Sequence, residues 1–519
     1  MAKFGFEKAR YFNGTLLLSV VIIAVSTFNY GFDNQAFATT QSMDYFAKQF
    51  GERNAKTGVY ELPSDWLALF NSLNYIGFAA GVIIGSQISS MFGRRWCMFG
   101  MSCYALVTAT IAVTSKSREQ IMAARILNYI YVGIELAVVP TFQSEIVPAP
   151  VRGFVVGSYQ MSLMAGGLVI NAVCYGTGFI ESNRSWQIPL GLFYIVPTII
   201  AAAIFFVPES PRWLLRKNRT DEARKMLQRL RQGAFTEEQI DAEFAELRNA
   251  LENEPEQGKF IELFKGKNLI RTAIVVGVNF FQQATGQAFS SQYGAVYVKT
   301  LGIINPRLFS LITSGIGVTI CFISLYTTDK MGRRVQLMAS ALIMAGALFT
   351  MGGLGVQSPV PTANMRGIIS MIAVFAIGFA TGWGPLTYVV TTEVSSLRLR
   401  DLNSRVGFTV NVVFNWAVNF SIPYLVWPDK AGLGSKVGFI FGSIAILALI
   451  FTYTCIPECK GKTLEQVDWL FNNDVPLRKF GQTEVPANLE TAHTYSKGIE
   501  REGDVEQGRN SQVSKGDSL

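Results

Sequence analysis

Long apolar stretches alternate with short polar ones along most of the chain. Each apolar stretch holds roughly 20 residues, the length that an α-helix needs to cross the hydrocarbon core of a bilayer. The pattern therefore predicts a membrane protein built from helices. It predicts twelve spans, near residues 14–38, 66–91, 96–115, 120–143, 153–176, 187–207, 271–297, 307–327, 336–356, 366–391, 403–427 and 436–456.

One longer polar stretch divides these spans into two groups of six. Two segments within it open with Thr-Asp and Thr-Glu, as helices often begin, so we expect short amphipathic helices there. The predicted organisation is a tail at 1–13, a six-helix bundle at 14–207, a linker at 208–270, a second six-helix bundle at 271–456 and a polar tail at 457–519.

Composition supports the membrane interpretation and excludes several other classes of protein. Half of the residues are hydrophobic and 16% are charged, where a soluble protein carries roughly 25%. The only histidine is His493, in the polar tail, and the six cysteines have no metal-binding spacing. No phosphate-binding loop or nucleophile motif is visible. We therefore expect neither an enzyme nor a cofactor or metal, and no nucleic-acid partner.

Basic residues gather in alternate loops, which predicts the orientation of the chain. Such loops lie on the cytoplasmic side in most membrane proteins, so both termini and the linker are expected to be cytoplasmic. The residues concerned are Arg94, Arg95, Arg152, Lys330, Arg333, Arg334, Arg398, Arg400 and Arg405.

The two groups of spans also repeat one another. Three motifs occur once in each group, in the same order and 239 to 249 residues apart. They are Gly-Arg-Arg at 93–95 and 332–334, a Glu and Arg pair at 145 and 152 and at 393 and 400, and Pro-Glu at 208 and 457. This repetition indicates a duplicated six-helix unit. Transporters built this way bind their substrate between the two halves, near the middle of the membrane.

The motifs themselves resemble those of one family. "FGRR", "RILNYIYVGIELAVVPTFQSEIVPAPVRG", "PESPRWLL", "DKMGRR", "GWGPLTYVVTTEVSSLRLRD" and "PECKGKTLEQ" are similar to the markers of the sugar porters of the major facilitator superfamily, in particular the fungal sugar:proton symporters. The resemblance covers roughly residues 14 to 470. It implies twelve transmembrane helices in two pseudo-symmetric bundles, and a protein of the plasma membrane that functions as a monomer.

The resemblance assigns a gate to the repeated motifs. Residues that match them in sugar porters form ion pairs that hold the cytoplasmic side closed. Ser90 departs from the pattern, since the family usually has Asp there, so the first half of the gate is expected to be weaker. The matching residues here are Arg94, Arg95, Glu145, Arg152, Glu209, Asp329, Arg333, Arg334, Glu393, Arg400 and Glu458.

Two acids within the predicted spans are expected to couple transport to protons. Asp33 in the first span and Arg125 in the fourth lie at equal depth, roughly 8 Å from the outer side, and an unpaired charge there is costly, so they are expected to pair. The pair is either a static ion pair or a proton switch. Matching residues carry the proton in proton-coupled relatives, and facilitative relatives commonly lack the acid. Glu135, near mid-membrane, is a second candidate.

The seventh span, "FFQQATGQAFSSQY", is too polar for a helix that faces lipid. Amides and hydroxyls bind sugar hydroxyls and aromatic rings bind the apolar face of a sugar, although polar residues in membranes also join helices to one another. The resemblance supports a sugar site. The candidate residues are Gln160, Gln282, Gln283, Gln287, Tyr293, Trp383, Tyr388, Asn411 and Asn415.

One departure leaves the substrate open. Ala288 stands where the family usually has a sugar-binding asparagine, and the adjacent Gln287 points about 100° away on a helix. The interpretation is proton-coupled uptake of a sugar, most simply a monosaccharide such as a hexose. The alternatives are a facilitative uniporter, a proton-coupled disaccharide transporter and a sugar sensor that does not transport.

Overall fold

The computed structural model describes residues 11–53, 58–252, 259–396, 398–462, 464–483 and 485. Helices account for almost all of its regular structure. The one described sheet is a two-stranded antiparallel ribbon, in which β1 (Glu52–Arg53) pairs with β2 (Tyr60–Glu61).

Six spans form the first bundle, and we number the spans in chain order. Span 6 consists of two α-helices, each followed by a turn of 3₁₀-helix at Leu192–Tyr194 and Ile204–Phe206. The helices are Gly14–Thr40 (span 1), Ser64–Ser72 and Asn74–Phe92 (span 2), Arg94–Val113 (span 3), Arg118–Ile146 (span 4), Ala149–Thr177 (span 5), and Arg184–Gly191 with Ile195–Ala203 (span 6).

Six further spans form the second bundle. Its helices are Gly266–Ala284, Gln287–Ser291 and Gly294–Leu301 (span 7), Pro306–Met331 (span 8), Arg333–Leu354 (span 9), Thr362–Thr381 and Trp383–Val394 (span 10), Arg400–Val426 (span 11) and Val437–Cys455 (span 12). Gly434–Lys436 is a 3₁₀ turn before span 12.

Shorter helices lie outside the spans. They are Asp44–Phe50 between spans 1 and 2, Pro211–Arg216, Thr220–Arg231, Glu237–Glu252 and the 3₁₀ turn Phe260–Phe264 in the linker, and Leu464–Asn472 with the 3₁₀ turn Leu477–Lys479 after span 12. We call the end of the bundles that carries the linker helices and the start of span 1 the linker face, and the opposite end the far face.

Within the part of the chain that the structure describes, spans 5, 7 and 11 are not among the helices that are long and apolar enough to cross a membrane. The other nine are long and apolar enough to cross a membrane. Span 7 was predicted as one helix but is broken at Thr285 and Gly286, where Gly286 has a φ of 87° and the ring of Phe441 occupies the space that a Cβ would need. Spans 7 and 11 carry polar residues that replace lipid contacts with contacts to other helices.

Equivalent spans pack against each other in both halves. Span 1 packs on span 5 and span 2 on span 4, and likewise span 7 packs on span 11 and span 8 on span 10. Glycines at positions 77, 81 and 85 allow the approach of span 2 to span 4, because a Cβ on Gly77 would lie 2.0 Å from the carbonyl oxygen of Ile126. Small residues four apart are a common device for close helix packing in membranes.

Candidate functional site

Asp33 and Arg125 face each other in the half of the first bundle nearer the far face. The Oδ1 atom of Asp33 lies 3.8 Å from Nη1 of Arg125, and the side chains are 4% and 5% exposed. A charge-assisted hydrogen bond would be about 2.7–2.9 Å long. The two groups thus form a loose ion pair, and Oδ2 of Asp33 has no hydrogen-bond partner among the described residues.

Aromatic rings hold the Arg125 guanidinium independently of Asp33. Its carbon atom Cζ lies 3.9 Å from the ring centre of Phe37 and 4.7 Å from that of Tyr129. Desolvated cation–π contacts of this kind contribute about 2 kcal/mol. A cavity of about 20 Å³ borders Asp33, Arg125 and Asn128, enough for about one water molecule. The arginine can therefore keep its place when the charge of Asp33 changes.

Glu135 lies near the middle of span 4 and is fully buried. The hydroxyl of Tyr159 on span 5 donates to its Oε2 atom at 3.1 Å, and Oε1 has no hydrogen-bond partner among the described residues. The described ion pairs give Glu135 no cationic partner. A buried carboxyl group without a counter-ion is costly within a membrane, which marks Glu135 as a candidate functional residue.

Span 7 and span 11 meet through their amide side chains. Gln282 donates from Nε2 to the backbone oxygens of Trp383 (3.1 Å) and Gly384 (3.0 Å). Its Oε1 atom accepts from Asn411 at 2.5 Å, and Asn411 Oδ1 accepts from Gln283 Nε2 at 3.0 Å. Gln283 keeps a buried Oε1 atom with no partner among the described residues. This oxygen can accept a hydrogen bond from a ligand hydroxyl.

Three other predicted sugar residues already have protein partners. Asn415 accepts a hydrogen bond from the hydroxyl of Tyr75 in the first bundle at 2.9 Å. Tyr293 is fully buried and its hydroxyl donates to the backbone oxygen of Asn419 at 2.6 Å. Gln287 donates to Ser291 of the same short helix at 3.0 Å.

Trp383 and Tyr388 differ in their access to solvent. Trp383 is fully buried, whereas Tyr388 keeps 44% of its surface exposed. Tyr388 nevertheless lies near Tyr30, Tyr75 and Tyr159 of the first bundle. It therefore lines a gap between the bundles. Gln160, which follows Tyr159 on span 5, is partly buried.

Polar contacts close this gap at the far face. Hydrogen bonds join Asn34 to Gln292 (2.6 Å), Asn171 to Ser314 (2.6 Å) and Ser64 to Asp429 (2.6 Å) across the two bundles. Ion pairs join Asp65 to Lys430 (3.0 Å) and Asp44 to Lys299 (2.6 Å). Tyr388 therefore lies on the linker-face side of these contacts.

The repeated motifs form one structure at the linker face of the first bundle. Arg94 makes a two-pronged contact with Glu145, with both N···O distances 2.9 Å. Glu209 accepts hydrogen bonds from the backbone N–H groups of Arg94 (3.0 Å) and Arg95 (3.1 Å). Glu209 thus caps the N-terminus of span 3. Burial raises the pKa of Glu209, while these N–H groups and that of Ser210 act in the opposite direction.

The second bundle repeats this arrangement. Arg333 binds Glu393 at 2.9 Å, and Glu458 accepts from the backbone N–H groups of Arg333 (2.9 Å) and Arg334 (3.0 Å). The second arginine of each motif lies over an aromatic ring of the last span in its bundle. Arg95 lies over Phe205 and Arg334 over Tyr453, at 5.9 and 5.2 Å.

The remaining predicted gate residues are placed less completely. The side chains of Arg152 and Asp329 lie outside the described residues. Arg400 begins span 11, and its Nε and Nη2 atoms are buried with no hydrogen-bond partner among the described residues. Ser90 donates to Gln87 of its own helix at 2.8 Å.

Sequence reasoning missed several residues of these clusters. Asn279 donates to Thr391 at 2.9 Å and lies 3.4 Å from Asn411, one helical turn before the paired glutamines. The spacing of four residues between Asn279 and Gln283 was the available signal. No sequence signal indicated that Asn34 and Gln292 would meet, since they belong to different bundles.

The comparisons with known proteins identify the family. The family model described as sugar (and other) transporter matches residues 19–471, so the chain belongs to that family. The predicted resemblance is confirmed, as is the prediction that the protein is a transporter-type membrane protein rather than an enzyme.

Individual relatives differ in their described roles. The chain is 28% identical to the high glucose sensor RGT2 of Saccharomyces cerevisiae over 87% of its own length, but it spans only 60% of that sensor. It is 26% identical to the high-affinity glucose transporter ght2 of Schizosaccharomyces pombe, over 96% of this chain and 93% of that transporter. Its fold resembles that of the proton:xylose symporter XylE bound to 6-bromo-6-deoxy-D-glucose, with a TM-score of 0.69 and 21% identity. The match covers 89% of this chain and 100% of the XylE chain. The protein therefore has the major facilitator fold, with twelve membrane spans in two six-helix bundles.

Proposed function

We propose that this protein carries a sugar together with a proton across the plasma membrane by alternating access. The observation that carries the proposal is the loose buried pair of Asp33 and Arg125 in a bundle that faces an amide-lined second bundle. A static ion pair would be expected to form close hydrogen bonds. At 3.8 Å, the carboxylate can gain or lose a proton while the arginine stays on its rings.

The sugar binds between the bundles, at the junction of Gln282, Gln283 and Asn411. The free Oε1 atom of Gln283 accepts a sugar hydroxyl, and Tyr388 offers an exposed ring on the same side of the gap. The relative ght2, which the chain matches over most of both sequences, is described as a glucose transporter, and this favours a hexose. Gln160, Gln287, Tyr293, Trp383 and Asn415 complete or support this site.

The linker face is the cytoplasmic side in this proposal, because the arginine-rich loops lie there. Both termini are then cytoplasmic, and the present conformation faces the cytoplasm. The ion pairs of the repeated motifs lie within each bundle in this conformation, and in the opposite conformation the same motifs meet across this face and hold it closed. We further propose that the protein works as a monomer, with no cofactor and no nucleic-acid partner.

Three other functions use the same fold. A facilitative uniporter would move the sugar without a proton, leaving Asp33 with a structural role. A sensor is favoured by the match to RGT2, although the chain spans 60% of that protein. Proton-coupled transport of a disaccharide differs only in the size of the substrate.

One experiment separates these functions. Cells without sugar carriers of their own express the wild type, Asp33→Asn, or the control Asp221→Asn on the exposed linker helix. Hexoses, pentoses and disaccharides are added singly to a weakly buffered suspension while sugar uptake and external pH are recorded. We expect external alkalinisation with one sugar, lost in Asp33→Asn and kept in the control.

Other outcomes reject the proposal in distinct ways. Uptake without a pH change makes the protein a facilitator. No uptake of any sugar, with the protein at the cell surface, favours the sensor.

A further inference from the structure

Asp33 has no open route to the gap in this conformation. Its residue surface is 2% exposed, and the far face next to it is closed by the contact of Asn34 with Gln292. The small cavity beside Asp33 is bordered by apolar side chains apart from Thr108, Arg125 and Asn128. A proton that arrives at Asp33 from the far face therefore needs a second carrier to leave at the linker face.

A row of buried polar groups leads from Asp33 towards the middle of the bundle. Asn29 lies one helical turn before Asp33 on span 1, and its Nδ2 atom donates to the hydroxyl of Tyr131 at 3.2 Å. Tyr131 lies near both Asp33 and Glu135, and Glu135 lies one helical turn further along span 4. Because Tyr131 accepts from Asn29, its own hydroxyl proton is free to point elsewhere.

The row ends at the gap. Glu135 accepts a hydrogen bond from Tyr159, and Tyr159 lies near the half-exposed Tyr388 of the second bundle. Asp33 Oδ2, Asn29 Oδ1 and Glu135 Oε1 are three buried oxygens along this row with no partner among the described residues. Buried polar oxygens are rarely left unsatisfied, and a mobile proton or water satisfies them.

We infer that Glu135 is the inward proton-release site, and that Tyr131 and Tyr159 relay the proton from Asp33 to Glu135 and from Glu135 to the gap. The inference rests on the proposed symport. A proton leaves the Asp33 carboxyl and reaches a Glu135 oxygen through the Tyr131 hydroxyl, then leaves through Tyr159. Each hydroxyl releases one proton as it takes up another, so a single proton moves and both tyrosines stay neutral.

The groups that face Glu135 suit this role. They are Tyr131 on its own span, Tyr30 on span 1 and Tyr159 on span 5, with the hydroxyl of Thr27 nearby. None of these is a cation that would keep the carboxylate permanently ionised. Glu135 can therefore hold a proton while the gap is open and lose it to water.

The test uses the full chain in liposomes, with the sugar that the uptake panel identifies. Two reactions are compared: sugar counterflow, which needs no net proton movement, and sugar-driven proton uptake, followed with a pH-sensitive dye in the lumen. The variants are Glu135→Gln, Glu135→Asp and Tyr131→Phe. The control is Glu119→Gln, an exposed glutamate at the far end of span 4.

We expect proton uptake to fall by about tenfold or more in Glu135→Gln and Tyr131→Phe, in line with the loss of a proton-transfer group. Counterflow should persist, and Glu135→Asp should recover part of the proton flux. Wild-type proton uptake per sugar in both Glu135→Gln and Tyr131→Phe would overturn the relay. Loss of counterflow together with proton uptake in both would instead assign these residues to sugar binding or folding. If the wild type itself moves no proton, the proposed symport fails, which is a different result.

Discussion

The Oε2 atom of Glu209 lies 2.5 Å from the point that a Cβ atom on Gly93 would occupy. The same relationship holds in the second half, where Glu458 lies 2.6 Å from such an atom on Gly332. Each glycine also has a positive φ, 97° and 87°. The glycine of the repeated motif thus lets a carboxylate reach the backbone at the start of a span.

Replacing Gly93 by alanine should destabilise the first bundle. The substitution forces a strained backbone conformation, costing about 1–3 kcal/mol, and pushes Glu209 away from its N–H partners. Thermal unfolding of the purified protein in detergent should show a lower Tm. The control is Gly100→Ala in the same span, where a Cβ meets nothing within 4 Å and alanine favours the helix. Equal Tm values for the two variants would contradict the capping role of Glu209.

The sequence predicted the positions of these motifs better than their contacts. The constant spacing between the halves identified Glu209 and Glu458 as equivalent, but as partners of arginine side chains. The structure shows that their strongest contacts are to backbone N–H groups, which a list of charged residues does not reveal. The twelve spans were predictable because burial in lipid imposes a length and an apolar composition.

The site between the bundles was predictable only in part. The polarity of span 7 and the family resemblance identified Gln282, Gln283 and Asn411, and the structure brings them together. The break of span 7 at Gly286 depends on packing against Phe441 of span 12, and the contact of Asn34 with Gln292 depends on how the two bundles meet. No local pattern encodes that arrangement, because each bundle satisfies its own periodicity without reference to the other.

Replacing Gln283 by alanine should weaken sugar binding. Its Oε1 atom is the acceptor we assign to a sugar hydroxyl, and one hydrogen bond contributes about 0.5–1.5 kcal/mol, or roughly threefold to tenfold in affinity. Sugar binding to purified protein, or the KM for uptake, measures this directly. Gln187→Ala is the matched control. Gln187 lies in span 6, and its Nε2 atom donates to the carbonyl oxygen of Val113, at the end of span 3 in the same bundle, at 3.4 Å. An unchanged affinity in Gln283→Ala would remove this residue from the site.

Replacing Arg231 by alanine should release the linker helices from the first bundle. Arg231 is 1% exposed, donates to the carbonyl oxygen of Ile146 at 2.8 Å and binds both oxygens of Glu243. Its loss leaves the carbonyl oxygen of Ile146 and the partly exposed Glu243 without their partner, a change of about 1–3 kcal/mol.

Limited proteolysis can detect this release. A protease specific for glutamate should cut at residues 237–252 much faster in Arg231→Ala than in the wild type. Arg229→Ala, which removes an exposed side chain from the same helix, should be cut at the wild-type rate. A resistant Arg231→Ala protein would show that other contacts hold the linker in place.

Reversing one charge at the far face should open it. Asp65 and Lys430 pair across the bundles at 3.0 Å, so Asp65→Lys places two cations together. Exchange of attraction for repulsion at a solvent-exposed site should shift the population towards the far-face-open conformation by roughly tenfold at low salt, and less at high salt. The double variant Asp65→Lys with Lys430→Asp restores an ion pair and should return the population to that of the wild type.

Spin labels at residues 48 and 304, with the exposed Cys103 and the half-buried Cys455 replaced by serine, report the distance across this face. If the single and double variants give the same distances, the ion pair does not contribute to closure, and the other contacts across the far face must carry it.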